Sequence, residues 1–459
     1  MIHRYQKKGL NFVLDVNSGA VHLLDDISYA VSGLLDENMG DTCPQGIIDA
    51  LPDYTADEIR EAYDELYELK KAGQLFAQDD YIDVSRYIPV NAPVKALCLH
   101  VAHDCNLRCK YCFASTGDFG QGRKIMPPEI AKKAIDFVIA RSGVRHNIEV
   151  DFFGGEPLMA WDTVTQTVDY ARSIEEQHGK KFRFTITTNG LLLDEDKRRY
   201  INENMDNCVL SLDGRREVND EFRKTVAGTG SYDTIVPKFK ALVDERDPNL
   251  DYYARGTFTS HNLDFAEDVL SIADAGFDRL SVEPVTADPG CGYDLTEDDL
   301  PKIEAEYDRL TDIMLERKKE GKPFTFFHFM VDLDQGPCVV KRLRGCGAGY
   351  EYVAVTPDGD IYPCHQFVGK DEFKQGSVLD QSFNMDIAQT FAGMNIYSRP
   401  KCQKCWAKFY CSGGCSAANY NMNHDMNDSY DLGCEMERKR LECAIYLKAM
   451  DKICANQSK

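Results

Sequence analysis

The stretch "HDCNLRCKYCFA", which runs from His103 to Ala114, places cysteines at Cys105, Cys109 and Cys112. Their C-x3-C-x2-C spacing follows directly on the apolar run "ALCLHVA", which predicts a buried strand. Three thiolates can hold three irons of a [4Fe-4S] cluster and leave the fourth iron open to another ligand. The alternative is a zinc site with a fourth ligand elsewhere, such as His103, because structural zinc is four-coordinate.

The composition indicates a globular enzyme with reduced thiols. The chain has 459 residues, of which 43% are hydrophobic and 28% are charged, and this length suggests two to four domains. Its 17 cysteines are an odd number, which fits metal or redox chemistry better than a framework of paired disulfides. The formal net charge of -22 argues against a nucleic-acid partner, because such a partner requires a basic surface.

The apolar runs are of strand length and too short to cross a membrane. The start of the sequence, "MIHRYQKKGLNF", lacks the apolar core of a signal peptide. We therefore expect a cytoplasmic protein without a membrane partner.

Residues 1–90 form the first of three regions that differ in pattern. "RYQKKG", "NFVLDV" and "AVHLLD" are short alternating runs, and "VNSGA" supplies turn residues between the last two. Helical patterns follow, the clearest in "TADEIREAYDELYELKKAG", where apolar residues recur at helical spacing. Three strands followed by about three helices resemble a small winged-helix module.

Strand and helix patterns alternate through the second region, residues 93–325. The strand candidates are "KALCLHV", "IEVDFFG", "FRFTITTNG", "NCVLSLDG", "YYARGTFTS" and "DRLSVEP", with helical patterns between them. Six β/α units predict a parallel sheet with right-handed crossovers, and the α/β fold that fits this count is a partial (β/α)6 TIM-like barrel. In such a barrel the active site forms at the C-terminal ends of the strands.

The third region, residues 330–459, is dense in cysteine and poor in regular pattern. It contains the blocks "CGAGYEYVAVTPDGDIYPC" and "CQKCWAKFYCSGGC", and one later cysteine completes the pattern. The seven cysteines are Cys346, Cys364, Cys402, Cys405, Cys411, Cys415 and Cys434. The alternative for this region is a pair of zinc ribbons, because the C-x2-C spacing of Cys402 and Cys405 taken alone also fits a zinc knuckle.

The three-cysteine loop, with Tyr111 before its last cysteine, resembles the radical SAM superfamily. In that family the open iron binds S-adenosylmethionine, whose reductive cleavage yields a 5'-deoxyadenosyl radical that abstracts a hydrogen atom from the substrate. Further matches follow the later strands, at "FFGGEPL", "TTNG", "SLDG" and "NDEFR". The resemblance implies these cofactor-binding residues: Tyr111, Gly154, Gly155, Glu156, Asn189, Ser211, Asp213 and Arg223.

The same resemblance implies a role for each group. Glu156 is expected at the cofactor's ammonium group, and the glycines before it allow close approach of the backbone. Ser211 and Asp213 are expected at the ribose hydroxyls, with Asn189 near them. Arg223 is expected at the carboxylate of the cofactor.

The seven later cysteines closely resemble the SPASM extension of radical SAM enzymes, which holds two auxiliary [4Fe-4S] clusters. The resemblance assigns four of them to an outer set, Cys402, Cys405, Cys411 and Cys434. It assigns three to an inner set nearer the barrel, Cys346, Cys364 and Cys415. Together with the radical-generating cluster, this implies three [4Fe-4S] clusters.

Two residues beside the inner set leave alternatives open. Cys338 is a candidate fourth ligand, and otherwise the inner iron stays open to a substrate thiolate. His365 follows Cys364 directly, where sulfatase-maturing relatives carry an Asp that acts as a base. Because the Asp is replaced by His365, formylglycine formation is not the expected reaction. His365 is either a proton acceptor or a residue that supports the cluster.

The first region resembles the PqqD-like recognition element of peptide-maturing radical SAM enzymes, which binds a leader peptide as an added strand. The candidate edge is "AVHLLD", from Ala20 to Asp25. A structural cap or a dimerisation module is the alternative for this region.

The whole arrangement looks most like the maturases of SCIFF peptides, which are short precursors with six cysteines. In that family a peptide cysteine sulfur is joined to the α-carbon of an acceptor residue as a thioether. The resemblance implies a cysteine-rich precursor peptide whose leader binds the first region, and a ferredoxin or flavodoxin as low-potential electron donor. An open inner cluster would hold the donor cysteine and accept the electron left when the C–S bond closes.

Two other classes of function fit parts of the sequence. One is a different radical modification of a peptide, either a carbon–carbon cross-link or formylglycine formation. The other is a non-catalytic, zinc-binding interaction protein. Metal analysis separates the classes, because three four-iron clusters require about twelve irons per chain.

Overall fold

Three groups of elements follow one another along the chain in the computed structural model, which describes residues 1–87, 92–334 and 339–457. The strands are β1 (Ile2–Lys7), β2 (Leu10–Asp15), β3 (Val21–Leu24), β4 (Ala96–His103), β5 (Leu107–Cys109), β6 (Lys124–Ile125), β7 (Asn147–Gly154), β8 (Lys181–Thr188), β9 (Asn207–Ser211), β10 (Arg223–Thr225), β11 (Asp251–Phe258), β12 (Arg279–Pro284), β13 (Thr325–Phe326), β14 (Tyr352–Val355), β15 (Asp360–Tyr362), β16 (Gly376–Ser377) and β17 (Ser382–Phe383).

The helices lie mainly between the strands of the barrel and at the two ends of the chain. The α-helices are α1 (Asp26–Ser32), α2 (Gln45–Ala50), α3 (Ala56–Lys71), α4 (Tyr81–Tyr87), α5 (Pro128–Arg141), α6 (Trp161–His178), α7 (Glu195–Asn204), α8 (Arg216–Phe222), α9 (Tyr232–Asp244), α10 (Phe265–Asp274), α11 (Leu300–Lys319), α12 (Val339–Arg344), α13 (Met385–Gly393), α14 (Pro400–Gln403), α15 (Lys408–Cys411), α16 (Ser416–Asn423) and α17 (Asp431–Gln457). Short 3-10 helices cover Ser115–Gly117, Pro157–Ala160, Glu297–Asp299, Phe327–Phe329, His365–Phe367 and Asp371–Phe373.

The N-terminal elements form an antiparallel sheet in the order β1-β2-β3, followed by helices α1 to α4. This agrees with the strands and helices predicted from the sequence. Alternate residues of β2 face two different layers. Val13 packs with α1 and α3, whereas Phe12 and Leu14 pack against Ile445 and Tyr446 of α17. Both faces of this small sheet are therefore buried, and its inner face is held by the C-terminal helix.

The six predicted barrel strands are all present and parallel. They lie in the order β4-β7-β8-β9-β11-β12, and β13 continues the sheet in parallel at the far edge. This confirms the predicted partial (β/α)6 barrel. Because the strands are parallel, all of their C-terminal ends meet at one edge, and the loops that follow them come together there.

The C-terminal region is more regular than its sequence suggested. Strand β14 pairs in parallel with β4, so β14 to β17 extend the barrel sheet on its other side. Helix α17 has 27 residues, and its buried Leu432, Met436, Cys443 and Ala444 join the barrel core. Apolar and charged residues are not sharply separated along α17, so the sequence pattern did not predict this long helix.

None of the helices within the described ranges is both long enough and apolar enough to span a lipid bilayer.

Candidate active site

A cavity of about 250 Å³ opens at the C-terminal ends of the barrel strands. It gathers residues from loops that are far apart in sequence. The predicted site residues that line it are Cys105, Cys109, Cys112, Tyr111, Gly154, Gly155, Glu156, Asn189, Ser211, Arg223 and His365. Of the residues predicted for this part of the site, Asp213 is absent from the cavity wall.

The three-cysteine loop is fastened by a feature that the sequence analysis missed. Strand β5, within the loop, pairs antiparallel with β10, so Cys109 lies opposite Arg223. Each strand has only three residues, which is too short for a periodic pattern to reveal. The pairing fixes the loop to the segment that carries the predicted cofactor-binding arginine.

The sulfur of Cys105 is already surrounded by N–H donors. The backbone N–H of Leu107 donates to it over 3.4 Å, and Asn189 Nδ2 lies 3.6 Å from it. Asn189 is held in place because the same Nδ2 donates to Asn106 Oδ1 over 2.7 Å. N–H groups directed at a ligand sulfur are typical of cluster sites, where they stabilise the negative charge of the thiolate.

The glycines of "GGE" are needed for close packing of this loop. A Cβ atom on Gly155 would lie 2.1 Å from the carbonyl oxygen of Asp104, and one on Gly154 would lie 2.2 Å from that of Ala102. The backbone N–H groups of Gly155 and Glu156 donate to Ala102 O and Asp104 O over 2.7 Å and 2.9 Å. The loop after β7 is therefore held directly against the loop that carries the cysteines.

Glu156 is buried and well anchored. Its carboxylate accepts hydrogen bonds from Leu158 N (3.0 Å), Thr188 Oγ1 (2.7 Å) and Asn189 N (2.8 Å). Burial raises the pKa of this carboxyl, and these hydrogen bonds oppose the rise. A carboxylate can accept about four hydrogen bonds, so Glu156 keeps capacity for one more donor on the cavity side.

Tyr111, Asp213 and Arg223 form a buried hydrogen-bonded chain. The Tyr111 hydroxyl donates to the Asp213 carboxylate, at 2.6 and 2.8 Å from its two oxygens, and accepts from Arg223 Nη1 over 2.7 Å. Asp213 also accepts from Thr257 N over 3.2 Å. Asp213 therefore lies behind Tyr111 and Arg223, outside the lining of the cavity, and its contacts hold these two side chains.

The inner set adjoins this cavity. The Cys364 and Cys415 thiols are close enough to Cys346 for their charges to interact. His365, next to Cys364, lines the cavity, and its ring packs against Phe113 and Phe153 with centroid distances of 5.5 and 5.0 Å. The candidate fourth ligand Cys338 lies outside the described residues.

The four cysteines of the outer set line one small cavity. Cys402, Cys405, Cys411 and Cys434 border about 60 Å³ of space together with Arg438 and Glu437. Cys402 Sγ lies 3.4 Å from Ser429 Oγ, and Arg438 Nη1 lies 3.9 Å from Cys405 Sγ. Cys402 and Cys434 are 32 residues apart in the sequence. The first turn of α17 carries Cys434 to the same cavity as Cys402.

Arg399 lies between the two sets, and the sequence analysis missed it. Its guanidinium interacts electrostatically with Cys402 and Cys411 of the outer set and with Cys346 and Cys415 of the inner set. It is buried and donates to Gly413 O over 2.7 Å. A buried cation at this position favours thiolates on both sides.

The arrangement of His103 does not suit the zinc alternative. His103 is buried, and its Nε2 lies 3.1 Å from His100 Nδ1, which pairs the two rings with each other. Its ring also stacks on Phe119 at 4.7 Å. Within the described ranges, the side chains of His, Cys, Asp and Glu form no group of three or more arranged to hold a single metal ion.

Two parts of the chain match known protein families. Residues 99–251 match the Radical SAM superfamily, and residues 346–406 match the SPASM family, described as an iron-sulfur cluster-binding domain. The chain is 25% identical over 354 residues to the cysteine-type anaerobic sulfatase-maturating enzyme of Clostridium novyi, covering 72% of this chain and 90% of that protein.

Solved structures share the fold. The structure described as native anSMEcpe with bound AdoMet and Kp18Cys peptide superimposes with a TM-score of 0.64 at 20% identity, covering 78% of this chain and 99% of that one. Streptococcus suis SuiB bound to precursor peptide SuiA gives a TM-score of 0.52 at 18% identity, covering 93% and 97% of the two chains. At these identities the likeness shows the fold alone.

These matches define the cofactors. A radical SAM domain needs S-adenosylmethionine and a [4Fe-4S] cluster, and a SPASM domain binds additional iron–sulfur clusters. The residues present fit these groups, because each cysteine set is gathered in space. The buried Arg223 Nε has no hydrogen-bond partner among the described residues, which is consistent with a guanidinium that can still bind an anionic ligand.

Proposed function

We propose that this chain, an iron–sulfur enzyme with a radical SAM domain and a SPASM domain, modifies a ribosomally made, cysteine-rich precursor peptide in the cytoplasm. The modification is a thioether bond between a cysteine sulfur and the α-carbon of an acceptor residue. One observation carries this proposal. The cavity at the barrel mouth is lined both by the three-cysteine loop and by His365 and Gln366, which directly follow inner-set Cys364.

This placement suits a reaction that joins two parts of one peptide. When bound, the cluster and S-adenosylmethionine supply a 5'-deoxyadenosyl radical that removes a hydrogen atom from the substrate. A peptide segment in the cavity lies within reach of the three-cysteine loop, and a cysteine of the same peptide can approach the inner set past His365. The net reaction replaces one S–H and one C–H bond by a C–S bond: the C–H hydrogen leaves in 5'-deoxyadenosine, the thiol proton is released, and the electron that started the reaction is returned when the C–S bond closes, so that S-adenosylmethionine is the oxidant.

The entrance to the site is large enough for a peptide. A second cavity of about 490 Å³ shares Tyr111, Phe113 and His365 with the first and extends outward to Lys370 and Tyr420. The relatives support a peptide substrate, because they include a sulfatase-maturating enzyme and a protein whose structure was solved with a bound precursor peptide. A ferredoxin or flavodoxin is the electron donor that we propose.

Product mass tests the reaction. Anaerobic co-expression with the cysteine-rich open reading frame nearest the gene should give a peptide that has lost two hydrogens for each thioether and has lost one free thiol for each bond. Alkylation followed by fragmentation locates both partners, because a cysteine in a thioether resists alkylation. An unmodified peptide from an iron-loaded enzyme that cleaves S-adenosylmethionine would contradict the proposal.

The same measurement separates the other radical modifications. Formylglycine formation from cysteine removes the sulfur, whereas a carbon–carbon cross-link leaves every thiol free for alkylation. Only the thioether consumes a thiol while it keeps the sulfur in the peptide.

We further propose that the leader of the precursor binds at the edge of the N-terminal sheet, beside β3. Within the described residues, no strand pairs with β3 on the side away from β2. Asp15 N–H donates to Ala20 O, and hydrogen-bonded pairs alternate along an antiparallel ladder. His22 is therefore paired with β2, and the N–H and C=O of Leu23 point outward, where an added strand can bind them.

A proline at this edge tests the leader site. Leu23→Pro removes the outward N–H but no hydrogen bond of the sheet, and proline is tolerated on edge strands. We expect the affinity for the precursor, measured by fluorescence anisotropy with a labelled leader, to fall about 10-fold, as expected for the loss of one hydrogen bond. Leu23→Val keeps the N–H and should bind as the wild type does.

This substitution is preferable to removal of residues 1–87, which would expose the apolar face formed by Ile445 and Tyr446. Equal leader affinity in the Leu23→Pro and Leu23→Val variants would rule out β3 as the leader site.

A further inference from the structure

An arginine–glutamate pair that none of the cofactor-binding motifs contains faces the main cavity. Arg255 on β11 and Glu283 on β12 lie on neighbouring parallel strands, and Arg255 Nη2 donates to Glu283 Oε2. Both side chains line the cavity together with His365 and the three-cysteine loop. The pair is therefore placed where substrate must lie during the reaction.

Glu283 is backed by a second layer of buried polar groups. His328 Nε2 lies 3.8 Å from Glu283 Oε1 and 3.1 Å from Ser281 Oγ, and Arg440 Nη1 lies 3.2 Å from His328 Nδ1. A guanidinium can only donate, so Nδ1 is the acceptor and Nε2 carries the hydrogen of the neutral ring. Arg440 is itself paired with Glu437. The hydrogen on Nε2 is therefore donated to Ser281 Oγ, and His328 lies beside the Glu283 carboxylate without a hydrogen bond to it.

Glu283 keeps its charge, and the pair keeps capacity for a ligand. Burial raises the pKa of Glu283, but the charge and hydrogen bond of Arg255, together with the nearby Arg440, oppose this and the pKa lies below its usual value. Within the described residues, Glu283 is the one ion-pair partner of Arg255, whose side chain is 45% exposed. Unused N–H donors of Arg255 therefore lie beside unused acceptor positions of Glu283.

The chemistry of the pair selects a dipolar ligand. The net charge of the pair is zero. An anionic side chain of the ligand would have to compete with Glu283 for contact with Arg255. A cationic side chain would have to compete with Arg255 for contact with Glu283. A donor beside an acceptor matches the N–H and C=O of a single residue in extended conformation, because these two groups point to the same side of the chain. The α-carbon of that residue lies between them.

We propose that Arg255 and Glu283 bind the backbone C=O and N–H of the acceptor residue and thereby position its α-hydrogen for abstraction. This inference rests on the proposed peptide modification. Arg255 donates to the carbonyl and Glu283 accepts from the N–H, as a residue of a partner strand would do.

A double-mutant cycle between enzyme and substrate tests the contact with Glu283. The probes are synthetic core peptides of the precursor identified by product mass, each with one backbone N–H replaced by an ester oxygen. We expect the ester at the acceptor residue to lower kcat/KM of the wild type about 10- to 100-fold, as loss of a hydrogen bond to a charged group does. Glu283→Met should cause a similar loss with the unmodified peptide, and the two changes together should cost little more than either alone.

The same two strands provide a matched control. Asp251 and Arg279, the first residues of β11 and β12, form an ion pair at 2.7 Å at the opposite end of the strands. Asp251→Asn should leave the ester effect at its wild-type size. If the losses in kcat/KM caused by Glu283→Met and by the ester multiply at every peptide position, the two groups do not interact and the proposal is overturned. The proposal is also overturned if Asp251→Asn couples to the ester as strongly as Glu283→Met does.

A second readout separates positioning from loss of structure. With a peptide deuterated at the acceptor α-carbon, the wild type should transfer the label to 5'-deoxyadenosine. Glu283→Met and the milder Glu283→Gln should lower the labelled fraction, because the α-hydrogen is no longer held in place. An unchanged labelled fraction in both variants would also overturn the proposal. Failure of the wild type to modify any peptide would instead refute the proposed function.

Discussion

Replacement of Cys105, Cys109 and Cys112 by alanine should reduce 5'-deoxyadenosine formation to background. The three thiols line one cavity, and the sulfur of Cys105 receives N–H groups from Leu107 and Asn189. The loss should exceed the roughly 10- to 100-fold change that follows removal of a single outer-shell partner of a metal site. Iron content should fall from about twelve to about eight per chain, because one four-iron cluster of three is lost.

A matched control uses cysteines outside the three sets. Cys43 and the exposed Cys291 lie in no cysteine-lined cavity of the described residues, and their replacement by alanine should leave iron content and cofactor cleavage unchanged. Cofactor cleavage that persists in the triple variant would refute the assignment. A wild-type protein that is colourless after anaerobic purification and holds zinc instead of iron would favour the zinc-binding class.

Gly155→Ala should have the second largest effect. The new Cβ would lie 2.1 Å from Asp104 O and 2.9 Å from Gly117 O, and both are backbone atoms that cannot rotate away. Overpacking of this kind costs about 1–3 kcal/mol and forces the two loops apart. We expect the affinity for S-adenosylmethionine to fall at least about 10-fold, which corresponds to the lower part of that range.

Equilibrium dialysis with labelled S-adenosylmethionine measures this loss, and thermal unfolding shows that the rest of the fold is retained. Gly46→Ala is the control, because a Cβ at Gly46 in α2 meets no atom within 4 Å. Its melting temperature and cofactor affinity should be at least those of the wild type, since alanine favours helix. Normal cofactor affinity in Gly155→Ala would show that the loop after β7 does not form the cofactor site.

The sequence predicted those structural elements that depend on residues close to one another in the chain. The six barrel strands were visible because each is a short apolar run bounded by turn residues, and parallel strands with helical crossovers admit few arrangements. The residues after these strands were then expected at one edge of the sheet. The structure brings eleven of the twelve predicted residues of this part of the site to one cavity.

The orientation of the Asp213 side chain depends on more than its position after a strand. "SLDG" follows its strand as expected, but a strand-end position does not state which way each side chain points. The carboxylate turns inward because Tyr111, Thr257 and Arg223 supply donors for it there. Buried carboxylates require such partners, and in this case the partners come from the three-cysteine loop, β10 and β11, which are far apart in sequence.

Other features depend on contacts between distant segments. The pairing of β5 with β10, the position of Arg399 between two cysteine sets, and the packing of β2 on α17 have no local signature. The same is true of Arg255 and Glu283, which are ordinary residues of two strands until the sheet places them side by side.

The sequence by itself predicted the barrel and, through its resemblance to a known family, the class of cofactor, because periodicity and cysteine spacing are properties of neighbouring residues. Only the tertiary structure decided which polar side chains face the cavity and which support them from behind. The physical reason is that a buried charge takes the orientation in which it finds partners, and those partners are supplied by segments that meet only when the chain is folded.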